Sequence, residues 1–300
     1  MAQIMANGIP IEVEDHGDKG NPVILLIMGF SVQLTFWPED FVQSLVDAGY
    51  RVVRFDNRDI GLSHKFDGVK APNPLWHLLV KRFLPSRRMA PYSLEDMAAD
   101  AVGVLDALEI EKAHAIGVSM GGMISQILAA DYPERVQSVI PVMTSTNNPR
   151  LPRADPQVQK ALFAMAGKRP EGEDEAVAMS MRFFEIIGSK DAGRDLQEVE
   201  DIVRTAYRRS HYPAGPKRQM AAIIDTWDLR GWTRRIQAPA LVIHGAADPL
   251  IPPACGEDVA ANIKDAKLEI VEGMGHDLPP SLLDSITAKV LAHIGQNKGP

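Results

Sequence analysis

Short strand-like segments alternate with amphipathic helical segments at both ends of this chain, and this alternation restricts the folds open to it. Val23–Ile27 is a continuous aliphatic run, typical of a strand buried on both faces of a parallel sheet, and Arg51–Phe55 and Ala113–Val118 are further predicted strands. The helical segments that separate them, such as 94–108, would cover the two faces. We therefore predict an α/β fold with a doubly wound, mostly parallel sheet.

The two ends of the chain fit this sheet, but the middle does not. An Asn7-Gly8 turn predicts an N-terminal hairpin, and further strands and a helix are predicted after residue 239. Between 147 and 231 we find helical stretches broken by six prolines, and no convincing strand. We therefore predict an α/β core formed by 1–146 and 232–300, with 147–231 inserted between two strands as a helical cap.

Composition excludes several classes of protein. A net charge of −7, with no basic run carrying interleaved aromatic residues, argues against a nucleic-acid partner. Cys255 is the single cysteine, so no internal disulfide can form. The N-terminus lacks the pattern of a signal peptide, and no run of 18 or more residues is apolar. We expect a cytoplasmic protein without a stable membrane anchor, and we leave homo-oligomerisation open.

The segment from Gly117 to Gly121 reads Gly-Val-Ser-Met-Gly and lies between a predicted buried strand and a predicted helix. The Gly-x-Ser-x-Gly pattern alone is a weak signal, but a strand-to-helix turn is the context that a nucleophile elbow requires. The tight turn favours glycine at 117 and 121 and would push the hydroxyl of Ser119 out of the sheet. We predict that Ser119 is a nucleophile.

A serine hydroxyl needs a base, and the base needs an acid to orient it. His276 lies just after the last predicted strand, in a loop with two glycines, and the other seven histidines fit this role less well. Asp248 follows the predicted strand 240–243, so we assign it as the acid in preference to Asp277, Asp225 and Asp228. The backbone N–H groups of Met120 and Phe30 are the predicted oxyanion donors.

These motifs resemble the α/β-hydrolase superfamily over nearly the whole chain outside the insertion. Most members carry His-Gly where this chain has Met28-Gly29, and the sequence is similar to the bacterial esterases whose loop begins Met-Gly, including aclacinomycin-methylesterase-like proteins. The segment 54–63 also resembles the Asp-x-Arg-x-x-Gly-x-Ser segment of the family, so we interpret Asp56 and Arg58 as structural. The resemblance implies a carboxylic ester, a small-molecule substrate.

We therefore expect a serine hydrolase of carboxylic esters that uses neither a metal nor an organic cofactor. A lipase, a C–C bond hydrolase, an aminopeptidase and a perhydrolase would use the same three residues, and a non-catalytic ligand-binding protein on this fold also stays open. The predicted pocket residues, which would equally fit the core of the cap, are Met165, Met179, Phe183, Phe184 and Trp227. The segment 74–91 is interpreted as a short helix packed on the cap, with a lid that has affinity for lipid surfaces as the alternative.

Overall fold

The computed structural model describes residues 2–166, 170–190, 193 and 195–297, with only the backbone described for 163–166. An eight-stranded sheet forms its centre. The strands are β1 (Ala2–Ala6), β2 (Ile9–His16), β3 (Val23–Ile27), β4 (Arg51–Phe55), β5 (Ala113–Val118), β6 (Val136–Val142), β7 (Leu241–Gly245) and β8 (Lys267–Val271).

The strand order is β1-β2-β4-β3-β5-β6-β7-β8. The β1–β2 hairpin turns at Asn7 and Gly8, which both have positive φ, and β2 pairs antiparallel with β4. All remaining pairs are parallel. The prediction of a doubly wound, mostly parallel α/β sheet is therefore confirmed.

Some of the described helices cover the two faces of this sheet, and others lie in the long segments between β4 and β5 and between β6 and β7. The helices are α1 (Glu39–Asp47), α2 (Pro74–Phe83), α3 (Leu94–Ala107), α4 (Met120–Asp131), α5 (Pro156–Ala166), α6 (Glu173–Ile187), α7 (Leu196–Arg209), α8 (Gly215–Thr226), α9 (Arg230–Thr233), α10 (Pro253–Asn262) and α11 (Pro280–Gln296). None of the described helices is long and apolar enough to cross a membrane.

Alternate residues of β3 separate the two halves of the hydrophobic core. Leu25 and Ile27 pack in the layer that contains α3, α4 and α10. Ile24 and Leu26 pack in the opposite layer, with α1 and α11. Because successive side chains of a strand point to opposite faces, a five-residue aliphatic strand serves both layers.

The chain between β6 and β7 forms α5 to α9, and its described residues 147–231 contain no strand. Buried ion pairs attach it to the loop after β4. Arg209, which ends α7, donates to Asp56 at 2.6 Å, and Arg218 of α8 donates to Asp59 at 2.8 and 2.7 Å. We propose that 147–231 forms a cap, which these two ion pairs attach to the core.

Candidate active site

Ser119 occupies the turn between β5 and α4 with a strained backbone. Its φ of 55° and ψ of −118° are rare for a residue with a side chain. A Cβ on Gly117 would lie 2.1 Å from the carbonyl oxygen of Gly121, and one on Gly121 would lie 2.0 Å from that of Ile27. The tight crossing of β5, α4 and the end of β3 therefore requires both glycines.

The three side chains predicted to act together lie within hydrogen-bond distance in series. Nε2 of His276 is 3.1 Å from Oγ of Ser119, and Nδ1 of His276 is 2.7 Å from Oδ2 of Asp248. Each residue follows a parallel strand, so the carboxyl edge of the sheet brings them together although 157 positions separate serine from histidine. Such a series can pass a proton from the hydroxyl to the imidazole while the carboxylate stabilises the resulting charge.

The carboxylate of Asp248 is buried and held in place by its own turn. Its Oδ1 accepts the backbone N–H groups of Leu250 and Ile251, each at 2.9 Å, which leaves Oδ2 directed at His276. A second imidazole, that of His244, is fully buried with Nε2 3.7 Å from Oδ2 of Asp248. Nε2 of His244 donates to the carbonyl of Ile251 at 2.8 Å. Burial lowers the pKa of His244, so this ring stays neutral and does not compete for the carboxylate.

The loop that carries His276 is fastened to the end of α6. The backbone N–H of His276 donates to the carbonyl of Ile187 at 2.8 Å, and that of Gly275 donates to Oγ of Ser189 at 2.8 Å. Asp277 accepts hydrogen bonds from the backbone and the hydroxyl of Ser189. Asp277 was considered from the sequence only as an alternative acid, and in the structure it connects the loop to α6. No feature of the sequence singled out Ser189.

Gly29 lies directly beside the nucleophile. A Cβ at this position would be 3.3 Å from Cβ of Ser119 and 3.2 Å from the carbonyl oxygen of Val118, so the loop after β3 approaches closely because it has no side chain here. Asn57 donates to the carbonyl of Met28 at 2.8 Å, and Gln219 accepts from the N–H of Ser31 at 3.0 Å. This backbone is thus fixed on both sides of Gly29.

The two predicted oxyanion donors lie at the ends of elements that meet at Ser119. Phe30 is half-buried in the loop after β3, directly after Gly29. Met120 is buried as the first residue of α4, where a backbone N–H has no partner within the helix. The assignment of these two N–H groups stays a prediction.

Asp56 and Arg58 are buried beneath the site, as their structural interpretation requires. Asp56 accepts the N–H groups of Leu34 at 2.8 Å and Leu62 at 2.9 Å in addition to Arg209. Arg58 makes a two-pronged pair with Asp100, with both bonds at 2.6 Å. These contacts connect the loops after β3 and β4 with α3 and with the proposed cap.

The predicted pocket residues are dispersed over the proposed cap. Phe184 of α6 stacks on Phe36 of the loop after β3, with ring centroids 5.7 Å apart. Met179 and Phe183 are half-buried on the same helix, and Trp227 is half-buried directly after α8. The side chain of Met165 lies outside the described residues. Contact of these residues with substrate stays a prediction.

The described part of the chain contains neither a cluster of metal ligands nor a reactive thiol. The described residues contain no group of three or more His, Cys, Asp or Glu side chains placed to hold a metal ion. Burial raises the pKa of the Cys255 thiol to about 11, so it is a poor nucleophile near neutral pH.

Comparison with known proteins identifies the family. A family model described as the alpha/beta hydrolase fold matches residues 22–280. The chain belongs to the α/β-hydrolase family. Rhodomycin D methylesterase DauP of Streptomyces sp. (strain C5) is 28% identical, and rhodomycin D methylesterase DnrP of Streptomyces peucetius is 26% identical, with 93% of each chain covered in both cases.

Among solved structures, the enol-lactonase from Burkholderia xenovorans LB400 superimposes on this α/β hydrolase with a TM-score of 0.73 and 24% identity, covering 98% of this chain and 100% of the other. At that identity the similarity concerns the fold. The resemblance to bacterial esterases of the methylesterase-like type, predicted from the sequence, is confirmed by the two relatives.

Proposed function

We propose that this α/β hydrolase cleaves small carboxylic esters through an acyl-enzyme formed on Ser119. The observation that carries the proposal is the series of two hydrogen bonds, 3.1 Å from Ser119 to His276 and 2.7 Å from His276 to Asp248. In this proposal His276 is the general base, and Asp248 fixes its tautomer and stabilises its charged form.

The reaction has two steps that use the same groups. Oγ of Ser119 attacks the ester carbonyl carbon while Nε2 of His276 takes the hydroxyl proton, and the N–H groups of Phe30 and Met120 hold the resulting oxyanion. His276 then gives that proton to the leaving alkoxide, which departs as the alcohol. In the second step His276 takes a proton from water, whose oxygen attacks the acyl carbon; the bond from that carbon to Oγ then breaks, and His276 gives the proton to Oγ, so the carboxylic acid and free Ser119 result.

The names of the relatives favour an ester over the other substrates that such a site could cleave. DauP and DnrP are named as methylesterases of rhodomycin D. We accordingly propose a carboxylic methyl ester, or another ester of a small alcohol, as the substrate class. Lipase, C–C bond hydrolase, aminopeptidase and perhydrolase activities are outcomes that a substrate panel would distinguish.

The strained backbone at Ser119 favours an enzyme over a non-catalytic ligand-binding protein. A residue other than glycine at φ 55° and ψ −118° costs on the order of 1–3 kcal/mol. A binding protein would have no use for a hydroxyl held in this conformation against an imidazole, whereas a nucleophile requires it.

Labelling with a fluorophosphonate, combined with a panel of esters, tests the proposal. The wild type should form an adduct on Ser119, and Ser119→Ala should lose the adduct and lower kcat by about 10⁶-fold, as for the nucleophile of subtilisin. Ser285→Ala, at an exposed position of α11, is the matched control and should react as the wild type. An unlabelled wild type, or an active Ser119→Ala, would refute the proposal.

Methyl, ethyl and p-nitrophenyl esters, with a p-nitroanilide of the same acid, separate the rival activities. We expect turnover of the esters and at least a hundredfold lower kcat/KM for the anilide. Preference for long acyl chains in micelles would replace the small-ester assignment with a lipase, and faster anilide cleavage would replace it with an aminopeptidase.

A further inference from the structure

Helix α2 has the opposite polarity to an ordinary surface helix. Its buried face contains His77 and Lys81, which are 0% and 1% exposed, together with Val80. Its solvent face is apolar, and Phe83 at 71% is its most exposed large apolar side chain. The exposed apolar residues of α2 and of the position after it are Leu75, Trp76, Leu78, Leu79, Phe83 and Leu84.

The inward polar face is held by specific partners, so the outward apolar face is a fixed property of the fold. Nε2 of His77 lies 2.6 Å from Oδ1 of Asp225, at the end of α8, and Nζ of Lys81 donates to the carbonyl of Asp225 at 2.7 Å. The other oxygen of Asp225 accepts the N–H groups of Met89 and Ala90. Turning α2 over would leave the buried Asp225 without His77 and Lys81, which is costly.

The surroundings of this apolar face are positively charged. Between Gly68 and Leu94 the chain has five basic residues and no Asp or Glu, although its net charge is −7. Three of the five, Arg82, Arg87 and Arg88, are exposed at the end of α2 and in the turn that follows it, and of these Arg88 pairs with Glu95. Helices that lie in the surface of anionic membranes typically combine apolar and aromatic side chains with arginines at the border.

We propose that α2 and the turn 84–88, together called the α2 surface, dock this protein reversibly on an anionic lipid surface. Trp76, Leu79 and Phe83 enter the boundary between headgroups and acyl chains, and Arg82 and Arg87 contact the lipid phosphates. A second copy of the chain fits less well, because a two-fold contact would bring the arginines of two identical surfaces together. The α2 surface is distinct from Ser119, so docking does not depend on the proposed reaction.

Co-sedimentation with vesicles tests this inference. The full-length protein should sediment with vesicles of equal parts phosphatidylglycerol and phosphatidylcholine, and far less with phosphatidylcholine alone or in added salt. Leu79→Glu should weaken binding at least tenfold. Arg82→Gln and Arg87→Gln should each weaken it about fivefold, the effect of one basic residue near an anionic surface.

Matched variants separate the α2 surface from general effects. Leu196→Glu changes another exposed leucine, which lies in α7 next to acidic residues, and Arg182→Gln changes an exposed arginine of α6. Both should bind vesicles as the wild type does, and so should Ser119→Ala, which separates this inference from the proposed function.

Any of three results would overturn the inference. The protein could fail to bind anionic vesicles, or Leu79→Glu and Leu196→Glu could weaken vesicle binding equally. The third is a dimer in ultracentrifugation that Leu79→Glu dissociates, with no binding to vesicles. The last result would assign the α2 surface to contact between copies of the chain.

Discussion

Ser189, just after α6, donates two hydrogen bonds to the carboxylate of Asp277, the residue that follows His276. The proposed base is therefore positioned by the end of a helix that lies outside the sheet, in the proposed cap. The N–H of His276 itself bonds to the carbonyl of Ile187 in the same region. The distance between imidazole and hydroxyl thus depends on how α6 sits against the loop after β8.

Asp277→Ala should lower kcat by about ten- to a hundredfold, the cost of displacing a catalytic group by about 1 Å. KM should change less, because this residue is proposed to position His276 and not to bind substrate. Steady-state kinetics with p-nitrophenyl acetate measure both constants.

Asp277→Asn keeps an oxygen that can accept from Ser189, so it should recover most of the loss. Asp284→Ala, at an exposed position of α11, serves as the control for removing a carboxylate. Unchanged kcat in Asp277→Ala would show that the loop holds His276 without this pair.

Asp248→Asn should lower kcat by about 10⁴-fold, the loss reported for the equivalent change in a serine protease triad. The amide cannot accept the Nδ1 proton of His276 with the same strength, and it favours the wrong tautomer. The protein offers its own comparison, since His77 and Asp225 form a second buried His–Asp pair at 2.6 Å. Asp225→Asn should leave kcat within a few-fold of the wild type, and equal losses in the two variants would contradict the assignment of the acid.

Asp225 should also make the stability of the protein depend on pH. Burial raises the pKa of its carboxyl, but the N–H groups of Ala90 and Met89 and the His77 ring together outweigh burial, so the pKa lies below its ordinary value. Such a carboxyl stabilises the fold above its unfolded pKa of about 3.9, and the contribution is lost as the pH falls through the folded pKa.

We therefore expect Asp225→Asn to lower the free energy of unfolding by roughly 2 kcal/mol at pH 7, and by less at pH 3 to 4 if the wild type still folds there. Urea denaturation of both proteins at each pH gives the difference in their free energies of unfolding. The contributions of the other carboxyl groups are the same in both proteins and cancel in this difference. A difference that is constant with pH would mean that the charge of Asp225 does not stabilise the fold.

The sheet could be predicted from local sequence, because its central strands are short segments rich in apolar residues that lie between helical segments. Val23–Ile27, Arg51–Phe55 and Ala113–Val118 were predicted with the bounds that the structure has. Helix α10 was not predicted from the sequence, and it contains Gly256 in its interior. A Cβ there would lie 2.5 Å from Nδ1 of His244, so tertiary packing selects this glycine.

The candidate site also contains some residues that could be predicted from the sequence and others that could not. Ser119, Asp248 and His276 could be singled out because each follows a predicted strand, and parallel strands end at one edge. The pairs Ser189–Asp277, Arg209–Asp56 and His77–Asp225 could not, because each joins a helical segment to a loop or helix far away in sequence. Only the docking of the helices between β6 and β7 creates them.

Glycine substitutions around Ser119 should separate folding from catalysis. Gly121→Ala places a Cβ 2.0 Å from the carbonyl oxygen of Ile27, a contact that the rigid backbone of β3 cannot relieve, so we expect a loss of stability of about 3 kcal/mol or more. Gly29→Ala places its Cβ at 3.2–3.3 Å from Val118 and Ser119, which small shifts can relieve. Gly231→Ala meets no atom within 4 Å and is the control for the added methyl group.

Thermal melts and kcat measured on the same samples distinguish these cases. Gly29→Ala should melt close to the wild type but lose about tenfold or more in kcat, because the proposed oxyanion loop is pushed away from Ser119. Gly231→Ala should match the wild type in both measurements. Full activity in Gly29→Ala would argue that the loop after β3 does not supply an oxyanion donor, since the methyl group lies between that loop and the nucleophile.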